Sequence, residues 1–525
     1  MRASLNSTPK PTPSQRQPND VIAVIQAHRG TPLLGFTGFR TGSTRFVVWW
    51  IGPTRGNGRA DERNRAISLA AEHGRGVVTY SRPVSTDPVP SARDRFARLK
   101  ALAPAIFAIS AVLRVASTMG YYLVEGDAFF DLRIYVLGGA ALNNPGTLYE
   151  FFYTDPLKNE QLPFTYPPFA AILFYPLHLL PFGLTALLWQ IALVGAVYAT
   201  VRLSQRFVGG GSRRIAMLWT AVAIWMEPPG GSIQVGQIGI FLMLAVLYAA
   251  YSTRWWLSGL LIGVTAGIKL TPAITGVYFV GVRRWGTALF SAVVFFATVG
   301  IGYLLLPDET RRYFPGRMSE AGHDLPVGSV WNQSWRGGLS RIVGHDVGTG
   351  ALLIGALVLT ALVAVFAWRS LGSVAGERDR LASLLVIQIF GLVASPVAWT
   401  HHWVWVVPLL IWLFHGPWRA KPGARLLGWS WFVLMVVSVP TLLSSAQPSI
   451  HDISQPWYLA WAGLVYIVAA VATMIWMIVT GRRAESVGDS AADGPGLGRP
   501  PVTAHRRGTE DTPEQDDPDR GDGQR

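Results

Sequence analysis

Long apolar runs follow one another between residues 102 and 480, separated by short polar links, and they constrain the fold more than any other feature. A helix needs about 20 apolar residues to cross the hydrocarbon core of a bilayer. Lipid offers the backbone no hydrogen-bond partners, so such runs fold as helices that satisfy their own N–H and C=O groups. Charged residues make up 14% of the chain, against about a quarter in soluble domains. The pattern predicts an all-α polytopic membrane protein with about 12 transmembrane helices.

The basic residues set the orientation of these helices. The predicted spans are 102–123, 184–204, 214–227, 236–252, 256–267, 270–282, 286–306, 348–369, 381–398, 403–415, 424–443 and 457–480. Arginine and lysine precede the first span and recur in every second loop, as expected of cytoplasmic loops. We therefore expect both termini in the cytoplasm, and the loops with few basic residues outside.

The apolar segment 168–182 needs separate treatment because it is broken by Pro176 and Pro181. Counting it as a span would place the basic cluster at 202–214 outside. We expect instead a helix that lies on the outer leaflet. The remaining division is into three parts: a disordered cytoplasmic tail over 1–100, the transmembrane domain over 101–481 and a second disordered cytoplasmic tail over 482–525. Both tails are rich in Pro, Gly, Arg and small polar residues, a composition that does not bury a core.

Composition also excludes whole classes of chemistry. The chain has no cysteine, so disulfides, thiol nucleophiles and thiolate metal sites are excluded. The net charge of +14 is explained by the cytoplasmic loops, and we expect no nucleic-acid partner. We expect no metal and no cofactor. Oligomeric state does not follow from the sequence.

The first outward loop carries the carboxylates of greatest interest. Asp127, Asp131 and Tyr135 are spaced four residues apart, which on a helix places them on one face. A carboxylate just above the membrane suits a general base that acts on a sugar hydroxyl. The alternative is a helix cap or a first-turn acid that complements the helix dipole.

Two further groups lie at the outer ends of spans. Lys269 is an ionisable residue at the end of a short apolar span, where charges are costly and usually functional. A lipid phosphate is its predicted partner, and an ion pair with Glu227 is the alternative. His401 and His402 are adjacent, so on a helix they point roughly 100° apart and seldom bind one metal ion. We expect them to hydrogen-bond a phosphate or a sugar, with interfacial anchoring as the alternative.

The outward loops hold other polar residues with a weaker signal. Each of them is as compatible with solvated loop polarity or a structural role as with substrate binding. These candidate binding residues are Tyr166, Gln237, Asn332, Gln333, Arg336 and Arg341.

Seven short motifs in a fixed order carry a family resemblance. They are Asp131-Leu-Arg-Ile-Tyr135, Leu148-Tyr149, Phe164-Thr-Tyr-Pro-Pro168, Gly236-Gln237, Lys269-Leu-Thr-Pro272, Asn332-Gln-Ser334 and Ser395-Pro-Val-Ala-Trp-Thr-His-His402. Together they resemble the polyprenyl-phosphate-mannose-dependent α-(1→2)-mannosyltransferases of actinobacteria, glycosyltransferase family 87. The resemblance covers about residues 105–480 and neither tail.

This resemblance implies a C-type (GT-C) glycosyltransferase fold with a helical first periplasmic loop. It implies a polyprenyl-phosphate-mannose donor and a glycolipid acceptor of the phosphatidylinositol mannoside or lipomannan type, at the outer face of the plasma membrane. Asp131 matches the family's catalytic aspartate, with Ile134 in place of a valine, and inversion would give an α-1,2 link. Lys269, the two histidines and the two arginines would stabilise the leaving phosphate. A transferase of another lipid-linked sugar and a glycolipid transporter or flippase are the alternatives.

Overall fold

The computed structural model describes residues 37–41, 44–48, 69–72, 92–126, 128–154, 161–317, 326–372 and 379–492. The chain divides into two compact units, Met1–Ser91 and Ala92–Arg525. In the first unit, an antiparallel sheet has the strand order β1-β2-β3. Its strands are β1 (Thr37–Thr41), β2 (Thr44–Val48) and β3 (Leu69–Glu72). They lie within residues 1–100, for which the disordered tail stays a prediction.

The described part of the second unit is built of helices, apart from one pair of short strands. Its first half contains α1 (Ala92–Glu125), α2 (Phe130–Ala141), β4 (Phe152–Thr154), β5 (Gln161–Pro163), α3 (Pro168–Phe174), α4 (Phe182–Phe207), α5 (Arg213–Ala223), α6 (Glu227–Val235), α7 (Gly239–Tyr251), α8 (Trp255–Ile268), α9 (Thr275–Gly281), α10 (Trp285–Leu305) and α11 (Pro307–Arg311). Its second half contains α12 (Trp335–Val343), α13 (Ala351–Ser370), α14 (Arg380–Ala394), α15 (Val406–His415), α16 (Ala424–Val437), α17 (Val439–Ser444), α18 (Trp457–Ala462) and α19 (Val465–Ala492). Short 3-10 turns cover Tyr175–Leu179, Thr271–Ile274 and Thr400–Trp405, and a π-helical turn covers Arg312–Arg317.

Five helical segments within the described residues are long and apolar enough to cross a membrane. They are Asp94–Glu125, Phe182–Phe207, Trp285–Leu305, Ala351–Ser370 and Ala424–Ser444. Large apolar side chains on these helices remain exposed, such as Leu123 and Leu304, as expected of surfaces that face acyl chains. Shorter apolar helices, including α7, α8 and α14, pack between them. The prediction of a polytopic helical protein is confirmed, while the count of twelve spans remains a prediction.

A glycine stripe on α8 fixes the position of the loop that follows it. Gly259, Gly263 and Gly267 face α10, and a Cβ atom added at Gly263 would overlap the Val294 side chain. The two helices therefore approach more closely than larger residues allow. Because Lys269 directly follows α8, this packing also fixes the backbone from which its side chain extends.

The first loop has its own small core. Helix α2, the paired strands β4 and β5, and α3 bury Leu132, Leu148 and Phe164. Gly139 lets α2 approach the α3 backbone, because an added Cβ atom would lie 2.7 Å from the Phe174 carbonyl oxygen. The helix expected around Asp131 is therefore present, and it is held rigidly. The strand pair was not predicted.

Candidate active site

The start of α2 presents Asp131 to the interior. The Phe129 N–H donates to the Gln234 carbonyl at 3.1 Å, which ties this helix start to the end of α6. Gly236 has a left-handed backbone with φ of +74°, and an added Cβ atom would lie 2.6 Å from the Leu132 Cβ. Only glycine combines that conformation with such a close approach. This contact brings Gln237 next to Asp131.

A hydrogen-bond network fixes the Asp131 carboxylate. Gln237 Nε2 donates to Asp131 Oδ2 at 3.0 Å. Gln237 Oε1 accepts from Tyr135 Oη at 2.7 Å and from Tyr166 Oη at 3.1 Å. Two phenol donors therefore hold the amide oxygen, which leaves the amide N–H₂ group to face the carboxylate. Tyr149 Oη donates to the Tyr166 carbonyl at 2.8 Å, which helps to fix the position of Tyr166.

Lys269 and the two histidines complete the cluster. Lys269 Nζ lies 3.1 Å from His402 Nε2 and 5.4 Å from the centre of the Tyr166 ring. His401 Nε2 lies 3.9 Å from Asp131 Oδ2 and has no hydrogen-bond partner among the described residues. The cluster therefore contains a carboxylate, an ammonium and two imidazoles around one point.

Burial and mutual charge shape the protonation of this cluster. Burial raises the pKa of Asp131 to about 7, against the opposing effects of the Lys269 charge and the Gln237 hydrogen bond. Burial lowers the pKa of Lys269 to about 8, although Asp131 opposes this shift. Burial and the Lys269 charge lower the pKa of His401 to about 3 and that of His402 well below its ordinary value. The imidazoles are therefore neutral at neutral pH, and the His401–Asp131 contact is not an ion pair.

Asn332 and Gln333 position the segment that carries the histidines. Asn332 Oδ1 accepts from the Ala398 N–H at 3.0 Å, and the Gln333 N–H donates to the Ala398 carbonyl at 2.8 Å. The side chains of Asn332 and Gln333 are both fully buried. Gln333 Nε2 also donates to the Gly463 carbonyl at 2.8 Å. Both residues therefore make their contacts within the protein, and these contacts hold the segment that carries the histidines in place.

The two arginines predicted to contact phosphate have other partners. Arg336 forms an ion pair with Asp346 through two hydrogen bonds. These hydrogen bonds lower the pKa of the Asp346 carboxyl to about 2. Arg341 is buried and donates to the carbonyls of Ser329, Asn332 and Gly463 at 2.6, 3.0 and 2.9 Å. The structure therefore engages both guanidinium groups within the protein. Their predicted role at a phosphate stays a prediction.

Two further expectations concern acidic residues. Asp127 lies outside the described residues. Glu227, the alternative partner of Lys269, has other partners in the structure: Glu227 Oε2 accepts from Tyr466 Oη at 3.1 Å, and the carboxylate also bonds the Thr400 side chain. Sequence reasoning missed this link between α6, α19 and the histidine segment, since its partners are distant in the chain.

A largely apolar cleft lies next to the cluster. Its polar lining residues include Lys269 and His402, together with Gln388 and Ser395. Leu242, Met243 and Leu392 are among its aliphatic lining residues, and the cleft lies between α7, α14 and the turns next to the site. A cleft with an ammonium among mainly apolar side chains suits a ligand with a polar head and a hydrocarbon tail.

Comparison with known proteins places this site in a family. A model of glycosyltransferase family 87 matches residues 164–396. The chain is 54% identical over 382 residues to the polyprenol-phosphate-mannose-dependent alpha-(1-2)-phosphatidylinositol pentamannoside mannosyltransferase of Mycolicibacterium smegmatis, covering 73% of this chain and 92% of the relative. The chain belongs to glycosyltransferase family 87. It is therefore a membrane glycosyltransferase, as the motifs predicted.

Other relatives agree with this assignment. The Mycobacterium tuberculosis protein of the same name is 53% identical over 408 residues, covering 77% of this chain and 93% of that protein. A Mycobacterium tuberculosis polyprenol-phosphate-mannose-dependent alpha-(1-2)-phosphatidylinositol mannoside mannosyltransferase is 30% identical over 366 residues, covering 66% of this chain and 83% of that relative. No solved structure matches the chain.

Proposed function

We propose that this family 87 enzyme transfers mannose from a polyprenyl-phosphate-mannose donor to a phosphatidylinositol mannoside, and that it forms an α-1,2 link. The observation that carries the proposal is the cluster of Asp131, Lys269 and His402, of which Lys269 and His402 line a largely apolar cleft. The names of the relatives support the donor, the acceptor class and the linkage.

The cleft would recognise two parts of the donor, its prenyl chain and its phosphate. The aliphatic residues Leu242, Met243 and Val246 line the region in which the prenyl chain would lie. Lys269 and His402 would face the phosphate. Lys269 Nζ and His402 Nε2 lie 3.1 Å apart. An ammonium in a buried site stabilises phosphate charge more strongly than it does in water.

Asp131 would act as the general base. The acceptor hydroxyl oxygen attacks the anomeric carbon while Asp131 takes the hydroxyl proton. The bond between that carbon and the phosphate oxygen breaks, and its electron pair leaves with the polyprenyl phosphate. Attack from the opposite side inverts a β-linked donor into an α-linked product. A base with a pKa of about 7 is matched to this task at neutral pH.

The topology proposed with this function has twelve spans, a C-type glycosyltransferase fold and both termini in the cytoplasm. The active site would then face the outside, where lipid-linked sugars replace nucleotide donors. Basic residues in every second loop support this orientation.

Replacement of the base tests the function. Asp131→Asn keeps the side-chain shape but cannot accept the proton, so we expect transfer from purified polyprenyl-phosphate-mannose to fall by roughly a hundredfold or more. The exposed acid Asp308, which pairs with Arg311, supplies the matched control Asp308→Asn, whose activity should match the wild type. Retained activity in Asp131→Asn would contradict the assignment of the base. Faster transfer from a lipid-linked arabinose or glucose would contradict the assignment of mannose, and donor binding without turnover would favour a transporter.

A further inference from the structure

Three polar side chains meet at the far end of α2, away from Asp131. Tyr175 Oη donates to Asn143 Oδ1 at 3.0 Å, and Asn143 Nδ2 lies 3.4 Å from His178 Nε2. The Tyr175 and His178 rings pack edge to face with their centres 4.5 Å apart. Asn143 and Tyr175 are exposed and His178 is half-buried. This group, called here the α2-end cluster, therefore presents hydrogen-bonding atoms at the surface.

The α2-end cluster lies where a lipid-facing surface ends. Helix α4 is one of the candidate spans and begins at Phe182, shortly after the turn that carries Tyr175 and His178. Exposed aliphatic side chains extend along α4 and around the cluster at Leu173, Leu179, Leu180, Leu184, Leu188 and Ile191. The last three are spaced four and three residues apart, so they share one face of the helix. A polar group at the end of such a face lies at the level of the lipid head groups.

The chemistry of the cluster favours a ring with several hydroxyl groups. An amide, a phenol and an imidazole each donate and accept hydrogen bonds, as neighbouring hydroxyls of a sugar require. His178 Nδ1 contacts the Tyr175 carbonyl, and Nε2 is held only by the long 3.4 Å contact with Asn143 Nδ2. A ligand hydroxyl can therefore replace Asn143 as the donor to Nε2, which frees the Asn143 amide for a second hydroxyl. Neither Lys nor Arg belongs to the cluster, which therefore has no fixed positive charge with which to select a phosphate.

The distance to the base matches an acceptor with several sugars. Asp131 is the second residue of α2, and the helix ends at Ala141, roughly 15 Å farther along its axis at 1.5 Å per residue. More than one sugar ring is needed to span that length. A glycolipid anchored at the cluster would therefore bring a sugar beyond its first ring to Asp131.

We propose that Asn143, Tyr175 and His178 bind the membrane-proximal sugar or cyclitol ring of the acceptor glycolipid, and that its sugar chain extends along α2 to Asp131. The lipid part of the acceptor lies against the exposed leucines beside the cluster. This inference rests on the proposed function and adds to it a second acceptor-binding site. The cluster thereby selects acceptors by the distance between their lipid and their terminal sugar.

Two acceptors compared in one assay test the proposal. One is a phosphatidylinositol mannoside, and the other is a short synthetic alkyl mannoside that carries only the terminal acceptor sugars. For Tyr175→Phe and His178→Ala, we expect the KM for the full glycolipid to rise about five- to tenfold, since a hydrogen bond is lost. The kcat, and both constants for the short acceptor, should stay unchanged.

A variant outside the α2-end cluster serves as the control for this experiment. Tyr458→Phe removes an exposed phenol on α18 and should leave both acceptors unaffected. An unchanged KM for the full glycolipid, or equal losses with both acceptors, would overturn the proposed site. If the wild-type enzyme transfers mannose to neither acceptor, the proposed function fails before the site is tested. Thermal unfolding of each variant separates a folding defect from a binding defect.

Discussion

At the scale of single residues, Gln237 illustrates how a neutral side chain controls the protonation of Asp131, the proposed general base. Its amide oxygen is held by the phenols of Tyr135 and Tyr166, so its nitrogen is directed at Asp131. The hydrogen bond that results favours the charged carboxylate and lowers the Asp131 pKa, while burial raises it. The balance of these two effects sets the pH at which the Asp131 carboxyl loses its proton.

Removal of this hydrogen bond should move the pH profile of the enzyme. The proposed base Asp131 would act in its deprotonated form, so we expect activity to fall as the pH drops through its pKa. In Gln237→Leu the pKa rises, and the acid limb of kcat/KM against pH should move upward by roughly one unit. Gln205→Leu removes a buried glutamine in the last turn of α4 and should leave the limb in place. An unmoved or lowered limb in Gln237→Leu would contradict the assigned network.

At the scale of helices and loops, the sequence predicted some parts of the site better than others. Asp131 and Tyr135 are one turn apart on α2, and that local spacing was readable. The partners of Arg336 and Arg341 were not readable from the sequence. Arg336 pairs with an acid in the next loop, and Arg341 donates to two carbonyls of the turn at 329–332 and to the distant Gly463 carbonyl. Hydrogen bonds between distant segments leave no periodic signal in the sequence, so Glu227 and its link to Tyr466 were also missed.

The packing of α8 on α10 gives a prediction at this scale. A Cβ atom in Gly263→Ala would meet Val294 and lie 2.7 Å from the Ser291 carbonyl oxygen. Overpacking of this kind costs about 1–3 kcal/mol, and it displaces the end of α8 that carries Lys269. We expect a lower melting temperature and a kcat reduced roughly tenfold. The control is Gly300→Ala on α10, where an added Cβ atom has no neighbour within 4 Å, and we expect this variant to retain wild-type stability and rate. Equal stability and rate in the two variants would refute the packing argument.

At the scale of the whole molecule, the apolar runs predicted the helical membrane architecture, because a bilayer demands a particular length and composition. They also predicted short segments at 236–252, 256–267 and 381–398, close to the bounds of α7, α8 and α14, but they did not predict the contacts that the ends of these helices make at the site. The break after α8, for example, lets Lys269 reach His402 instead of continuing a helix. Tertiary contacts decide such breaks.

The absence of cysteine in the sequence makes the proposed orientation directly testable. Ala420 and Ser445 are exposed at opposite ends of the candidate span Ala424–Ser444. We expect a membrane-impermeant maleimide to label Ser445→Cys in intact cells, and Ala420→Cys only after permeabilisation. The reverse pattern would place the active site in the cytoplasm.

The aliphatic cleft also determines how substrate supply must be measured. Its lining of Leu242, Met243 and Leu392 suits a donor that arrives from within the bilayer and not from water. The relevant concentration is then the number of donor molecules per unit of membrane area. Addition of empty lipid to vesicles should slow the reaction by surface dilution, even though the amounts of enzyme and donor per millilitre are unchanged. A Michaelis constant for this enzyme is accordingly a mole fraction.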